Sequence, residues 1–478
     1  MDELRPVERV SDTDLVRALA PPALPVLQST CCRLGRRAAS LSPAVRMPRL
    51  DRMRSRTMAA YLFYGTLLTY ILTASYTRQS IDTISTYIPA WQLAHHGSLY
   101  VDQFYDPKLW FVHVHGRVVS NRFPGAILFA VPFYLLLDHS ALPLPFAGNV
   151  AAAAATAGSV TVLYLLLTRL TSGRRALGAS LLFAFGTPTW GVSGNALWTH
   201  GPDQLWLLLG ILALAGERYL PSGLAFAAAV LTRPHLALVP AAAGLGYSRH
   251  QKMSRPAILI ACGSVTGVFG IVAYNRFIYG AWTLVGQYAS HVAGAGTSTA
   301  HLGLGGVGVP AFLENIAGTL VSPSRGVIVL TPFLLLLVPG LRSAWVAAPP
   351  WARYPALGGL AYLASQLWLD HFSGGFGFYT YRVPIETLTL AGPLLTLAYT
   401  TWTSKRKWRR WAFLACAALS VGIQATGAVS LPASSTRPDF WRQFEPATAL
   451  RSYGSVWVLV PLAATGCALF VARGLRER

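Results

Sequence analysis

The chain has 478 residues, of which 53% are hydrophobic and only 12% charged, with a formal net charge of +21. A soluble domain carries about 25% charged residues, and the apolar residues here fall in repeated runs of about 16–22, which excludes a soluble globular protein. The pattern predicts an all-α, polytopic transmembrane protein of about 10–12 spans. Arg and Lys lie mainly in the N-terminal tail and between apolar runs, where the positive-inside rule places them. The basic charge therefore speaks for lipid headgroups or a phospholipid-like substrate, and not for nucleic acid.

Residues 1–57 lack the apolar core of a cleavable signal peptide. Arg33, Arg36, Arg37, Arg46, Arg49, Arg52, Arg54 and Arg56 face only Asp51 there, which predicts a disordered, basic, cytoplasmic tail. Met47, Met53 and Met58 are alternative starts. Residues 58–478 form the transmembrane domain. A first span over Met58–Tyr76 leads outward, so the polar loop 77–122 faces the exterior. Phe123–Leu137 is apolar but short and opens on a Pro-Gly break. If it crossed the membrane, Arg169, Arg174 and Arg175 would land outside, so an interfacial or re-entrant helix is expected.

The following spans are Ala147–Leu167, Leu177–Leu197 and Pro202–Gly216. Gly223–Tyr247 is interrupted at Thr232-Arg233-Pro234-His235 and carries basic or polar ends on both sides, which predicts a broken helical hairpin. Pro256–Arg276 leads out to a second outer loop, 277–325. Gly326–Leu341 and Tyr354–Leu369 follow, then the outer loop 370–382. Pro384–Trp402 and Trp411–Leu431 come next, then an outer loop over 432–452 and a last span, Tyr453–Val471. In this scheme both termini and every strong basic cluster are cytoplasmic, and the protein sits in the plasma or inner membrane. Cys31, Cys32, Cys262, Cys416 and Cys467 show no metal or disulfide spacing, and those in apolar runs read as small core residues.

The ionisable outliers gather at one membrane face. They include Asp82, Asp102, His113, His115, Arg122, His200, Asp203, Arg276, His291, His301, Asp370, His371, Tyr381, Arg382 and Glu386. Polar groups near membrane depth are costly and mark a site or pathway. Asp82, just past the first span, is the candidate general base, against the plainer reading of a solvated loop carboxylate or a partner of Arg78. Arg122, Arg276 and Arg382 suit phosphate oxygens, although each would also snorkel or pair with an acid. Arg122 has the added advantage of opening a helix start. His113 and His115, an i,i+2 pair, would point to one face if they lay on a strand. No HExxH or DxD accompanies them, so substrate contact is favoured over metal, and no cofactor is expected. His200 lies in WTHGP at a helix end, for substrate contact or for capping. Trp91, Trp110, Trp198 and Trp282 read first as an interfacial belt.

Several short motifs then resemble one family in their order. SNRFPG (Ser120–Gly125) follows Asp82, and after it come WTHGP (Trp198–Pro202), LTRP (Leu231–Pro234) and YNRFIYG (Tyr274–Gly280). SPSRGVIVLTP (Ser322–Pro332) and SGGFGFYTYRVP (Ser373–Pro384) complete the series. The pattern resembles the GT-C superfamily of polytopic glycosyltransferases, which includes protein O-mannosyltransferases, the aminoarabinose transferase of lipid A, and actinobacterial arabinofuranosyl- and mannosyltransferases. The chain departs from it in SNRFPG, which lacks a second Pro, and in Asp82-Thr83, where many members carry two acids. The resemblance implies juxtamembrane helices in the first outer loop and inverting transfer of a sugar from a polyprenyl-phosphate donor. The acceptor would be a hydroxyl of a glycan, lipid or protein at the outer face of the membrane, in cell-envelope biosynthesis. It makes Asp82 the base and Arg122, Arg276 and Arg382 the candidate phosphate contacts, with His113, His115, His200 and Tyr381 as further substrate contacts. Two alternatives stay open: a transporter or flippase of a lipid-linked sugar, working through Arg233 and His235, and an O-antigen ligase or polymerase.

Overall fold

The computed structural model describes residues 49–77, 79–284, 306–375, 377–430 and 439–452. Most of the basic tail, the last expected span Tyr453–Val471, His291 and His301 lie outside the described residues. Two units separate at Arg54, and apart from the first residues of the helix that starts at Arg49 everything discussed below belongs to the second, which begins at Ser55.

The described residues are mostly helical. In order the helices are α1 (Arg49–Leu72), α2 (Ile81–His96), α3 (Pro124–Leu137), α4 (Pro145–Leu167), α5 (Gly173–Gly186) and α6 (His200–Leu214). They continue with α7 (Tyr219–Thr232), α8 (Leu238–Gln251), α9 (Arg255–Tyr279), α10 (Val309–Val321), α11 (Leu341–Ala347) and α12 (Pro350–Leu369). The last are α13 (Ile385–Thr401), α14 (Lys407–Ser430) and α15 (Glu445–Ser452). The exception to helix is a hairpin between α2 and α3, with β1 (Phe111–Val114) antiparallel to β2 (Arg117–Ser120).

Three helical segments, Pro145–Leu167, Arg255–Tyr279 and Lys407–Val429, are long and apolar enough to cross a membrane. Large apolar side chains stand exposed on several helices, among them Leu68, Leu72, Leu136, Phe269 and Phe277. In water such faces would be a liability. In hydrocarbon they match the solvent, and the helical backbone satisfies its own hydrogen bonds. The protein is a membrane protein on these grounds. Helix α3 has 14 residues, a rise of ~21 Å, short of the ~30 Å hydrocarbon core.

Glycines set the tightest helix pairing. A Cβ on Gly263 would lie 2.7 Å from the backbone of Gly223, and one on Gly267 2.4 Å from the Ala227 carbonyl. The order 223, 227 against 263, 267 makes α7 and α9 parallel. Gly244 of α8 instead meets Ala257 near the start of α9, so α8 runs back. Thr232-Arg233-Pro234-His235 is thus the tip of a helical hairpin. Close backbone approach through small residues four apart is how helices associate where lipid removes the hydrophobic drive.

Two expected spans are not continuous helices. Leu177–Leu197 breaks where α5 ends before Thr187-Pro188, and a wider π turn (Thr189–Ser193) follows. Proline lacks the N–H that would carry the helix on. Gly326–Leu341 is a single helical turn, Val327–Leu330, followed by a 3-10 stretch over Pro332–Gly340, again broken at a proline. Loop 277–325 contains α10, which the sequence did not announce. Cys262 is exposed rather than in the core.

The helix ends sort into two groups. Arg169 Nη1 donates to the Ala215 carbonyl, Gln251 to Tyr219, and Thr403 to Leu336. These contacts gather the basic connections around Arg169–Arg175, Arg218, Arg249–Arg255 and Lys405–Arg410 at one end. The opposite end holds the N-termini of α6 and α13 and the hairpin tip at Arg233.

Candidate active site

Helix α2 begins at Ser80, whose hydroxyl accepts the Asp82 N–H at 3.3 Å, and an acid in the first turn suits the helix dipole. Asp82 and Ser85 are three residues apart and share a face. Ser85 Oγ accepts the Trp110 N–H at 2.9 Å, and Ser120 Oγ donates to the Ser85 carbonyl at 2.6 Å. The hairpin is thereby pinned to α2, and Trp110 Nε1 donates to Asp82 Oδ1 at 2.6 Å.

Two guanidinium groups complete the cluster. Arg122, on the stretch leaving β2, pairs with Asp82 Oδ1. Arg382, 300 residues further along the chain, donates through Nη1 to Oδ2 at 2.5 Å. Arg382 also lies over the rings of Trp198, at 5.0 Å, and Phe378, at 4.8 Å. The Arg122 and Arg382 side chains keep 27% and 18% of their surface exposed, against 10% for Asp82, so the cluster opens outward through its cations. Burial pushes the Asp82 carboxyl up, but the two guanidinium groups outweigh it and hold the group well below the usual carboxylate range.

Glycines bring these segments together. A Cβ on Gly377, whose φ is +82°, would lie 2.8 Å from Ser80 Oγ, so the loop carrying Arg382 rests directly on the start of α2. A Cβ on Gly125 would lie 2.3 Å from Thr232 Oγ1, so the start of α3, just after Arg122, abuts the hairpin tip.

Behind Trp198 is a second, deeper polar group. His200, Asp203 and Glu386 are fully buried, as is Tyr362. His200 Nδ1 meets Glu386 Oε1 at 2.6 Å, and Arg233 Nη2 meets His200 Nε2 at 3.1 Å. A guanidinium can only donate, so Nε2 accepts and Nδ1 carries the proton toward Glu386. Arg233 also donates to Thr199 and to Tyr362, each at 2.9 Å, and stands 3.3 Å from Asp203. The His200 ring lies 6.5 Å from that of Trp198, so one indole separates the deep network from Arg382.

The other expected site residues lie elsewhere. Tyr381 turns into the core, where its hydroxyl meets Thr331 at 2.6 Å. Arg276 is exposed, donating to the Gly280 carbonyl at 3.1 Å with Trp282 beside it. His113 and His115 are exposed and do not share a strand face. His115 has φ +49° and with Gly116 forms the two-residue turn, because this short connection demands left-handed residues. The His113 ring lies 4.5 Å from that of Tyr105, tilted by 55°, and a Cβ on Gly280 would come within 3.1 Å of the His115 ring. Arg276 and His115 thus meet around Gly280, apart from the bonds that hold Asp82. Among the described residues, no group of three or more His, Cys, Asp or Glu comes together as a metal cluster would.

Sequence reasoning read Trp110 as interfacial belt, assigned Arg233 only to the transporter alternative, and did not single out Tyr362. The available signal was Arg233, a cation inside an apolar run. Also unforeseen is the buried pair of Arg325 with Glu445. Glu445 accepts the Thr380 N–H at 3.0 Å, and the Arg325 guanidinium lies 4.7 Å from the Phe378 ring. Phe378 is thus held between Arg325 and Arg382. Ser322 and Ser324 donate to the carbonyls of Phe440 and Gln443. Described residues from all four segments expected to face outward, 77–122, 277–325, 370–382 and 432–452, meet at this end of the helices. No protein-family profile matches the chain, and no curated protein is similar to it.

Proposed function

We propose that the protein is a polytopic membrane glycosyltransferase of GT-C type, moving a sugar from a polyprenyl-phosphate donor to an acceptor hydroxyl. The observation that carries this reading is one carboxylate gripped by two partly exposed guanidinium groups inside an aromatic wall of Trp110, Trp198 and Phe378. Guanidinium forks are matched to phosphate oxygens. A donor phosphate arriving between Arg122 and Arg382 would draw them from Asp82 and so raise its basicity when substrate is in place. The acceptor oxygen then attacks the anomeric carbon, the bond from that carbon to the phosphate oxygen breaks, and polyprenyl phosphate leaves. Asp82 takes the acceptor's proton. One displacement gives inversion. The indoles supply stacking faces for sugar rings, and the deep network behind Trp198 fixes that wall. In this reading the chain spans its membrane about 10–12 times, the Asp82 end faces the exterior, and the basic end and both termini are cytoplasmic.

The test uses protein in lipid nanodiscs with a panel of radiolabelled polyprenyl-monophosphate sugars, scoring released carrier phosphate with and without EDTA. Wild type should turn over one donor, and Asp82→Asn should fall by at least ~100-fold, the scale of a lost general base. Full activity in the variant would sink the assignment. A second reading, as a transporter of a lipid-linked sugar, draws on the buried charges around Arg233. It predicts that Arg233→Gln blocks transport whereas Asp82→Asn is tolerated.

A further inference from the structure

A narrow apolar cavity runs along most of α13, between α4, α5, α13, α14 and the 3-10 stretch Pro332–Gly340, and reaches the end of the bundle opposite Asp82. Its walls are apolar, with Leu182 and Phe183 from α5, Leu388 and Leu395 from α13, and Phe333 and Phe413 opposite. Polar groups occur near its two ends. Thr187 lies at the inner end, its hydroxyl already donated to the Phe183 carbonyl at 2.6 Å. Arg175 and Tyr399 lie at the outer end. Tyr399 is 5% exposed, and its buried hydroxyl has no hydrogen-bond partner. A buried donor left without an acceptor is costly, so a group that accepts from it is called for. Arg175 and Arg410 both stand close enough to act on this hydroxyl electrostatically. Arg175 is half-exposed, which places the mouth at the basic end, where Arg409 packs 3.9 Å over Trp402. Basic residues with Trp are the signature of a membrane interface.

The dimensions select the occupant. From Leu388 to Tyr399, both on the lining face of α13, the helix rises ~16 Å at about 1.5 Å per residue. That is about half of a ~30 Å hydrocarbon core, the depth of one leaflet. A long isoprenoid would overrun it, and a soluble anion would leave the apolar walls unfilled. We propose that this cavity is a binding site for an anionic phospholipid of the leaflet at the basic end. One acyl chain lies along α5 and α13, and the phosphate accepts from the Tyr399 hydroxyl between Arg175 and Arg410. Basic pockets between membrane helices are where anionic headgroups settle. The site is separate from Asp82 and requires no transfer activity.

The test is native mass spectrometry of the full chain purified in mild detergent, with the retained lipid extracted and identified. Wild type should carry one anionic phospholipid per chain. Arg175→Gln with Arg410→Gln should lower occupancy roughly tenfold, as loss of charge-assisted contacts implies, and Ala179→Trp should exclude the lipid by filling the cavity. As a guard against misfolded variants, delipidated wild type is titrated with an anionic and a zwitterionic phospholipid of identical chains. A thermal unfolding midpoint that rises with the anionic lipid alone supports the site. Equal occupancy in all variants, a retained isoprenoid, or equal stabilisation by both lipids overturns it.

Discussion

Replacing Arg325 by Met should cost far more than its distance from Asp82 suggests. Arg325 is 1% exposed and pairs with Glu445, which is itself 6% exposed. Removing one member of a buried pair leaves an uncompensated charge, at about 3–5 kcal/mol. The lost contacts with Phe378 and Phe440 add about 0.5–1 kcal/mol each. Glu445 cannot simply be deleted as well, because its Oε2 accepts the Thr380 N–H. Thr380 sits at φ +62°, a conformation that costs about 1–3 kcal/mol and persists only when its surroundings enforce it. The double variant Arg325→Met with Glu445→Gln removes both charges yet keeps an oxygen for Thr380. It should therefore recover about 2–3 kcal/mol relative to Arg325→Met alone. Chemical denaturation in mixed micelles measures the cycle. A single variant as mild as the double would refute the view that this pair pins the Arg382 loop.

Three further outcomes follow from the geometry. Arg382→Lys should weaken binding of a polyprenyl-phosphate ligand by about 1–2 kcal/mol in a titration, because an ammonium loses the packing on Trp198 and Phe378 and the planar fork offered to phosphate oxygens; unchanged affinity would remove Arg382 from the proposed phosphate site. Gly263→Ala should destabilise the α7–α9 pair by about 1–3 kcal/mol in unfolding assays, since its Cβ would meet the Gly223 backbone at 2.7 Å. The depressed pKa of Asp82 adds stability that is fully present above the ordinary Asp value of about 4 and is lost as pH falls below it. The stability gap between wild type and Asp82→Asn should therefore hold steady from neutral pH down to about 5 and shrink under more acid conditions; a gap that shrinks near neutrality would contradict the ion-pair account.

Helices and their breaks were the legible part of this sequence. Apolar runs located α4, α6, α9, α12, α13 and α14, and the proline in Thr232–His235 located the hairpin tip. Pro188 and Pro332 break their helices in the same way, but the apolar residues around them conceal both breaks. In the site, Asp82, Arg122 and Arg382 were nominated one by one and do meet. Their partner Trp110 was read as belt, because an indole at an interface has the same composition signal whether it faces lipid or a carboxylate. Tyr381 adjoins Arg382 in sequence, yet its hydroxyl bonds Thr331 in the core while Arg382 turns to Asp82. Arg325 and Glu445 could not be paired in advance, since each is a lone charge and only tertiary packing brings them together.

The ion pair of Asp82 with Arg382 closes across 300 residues, and this bears on how the protein is made. Chains emerge from the N-terminus, so Asp82 first has only Arg122 to balance it. Arg382 reaches it after α4 to α12 have been made, and the Glu445 anchor follows later still. The nascent chain thus passes through membrane insertion with an incomplete anion grip. A cell making this protein would complete the ion pairs of Asp82 only when nearly all of the chain has been made.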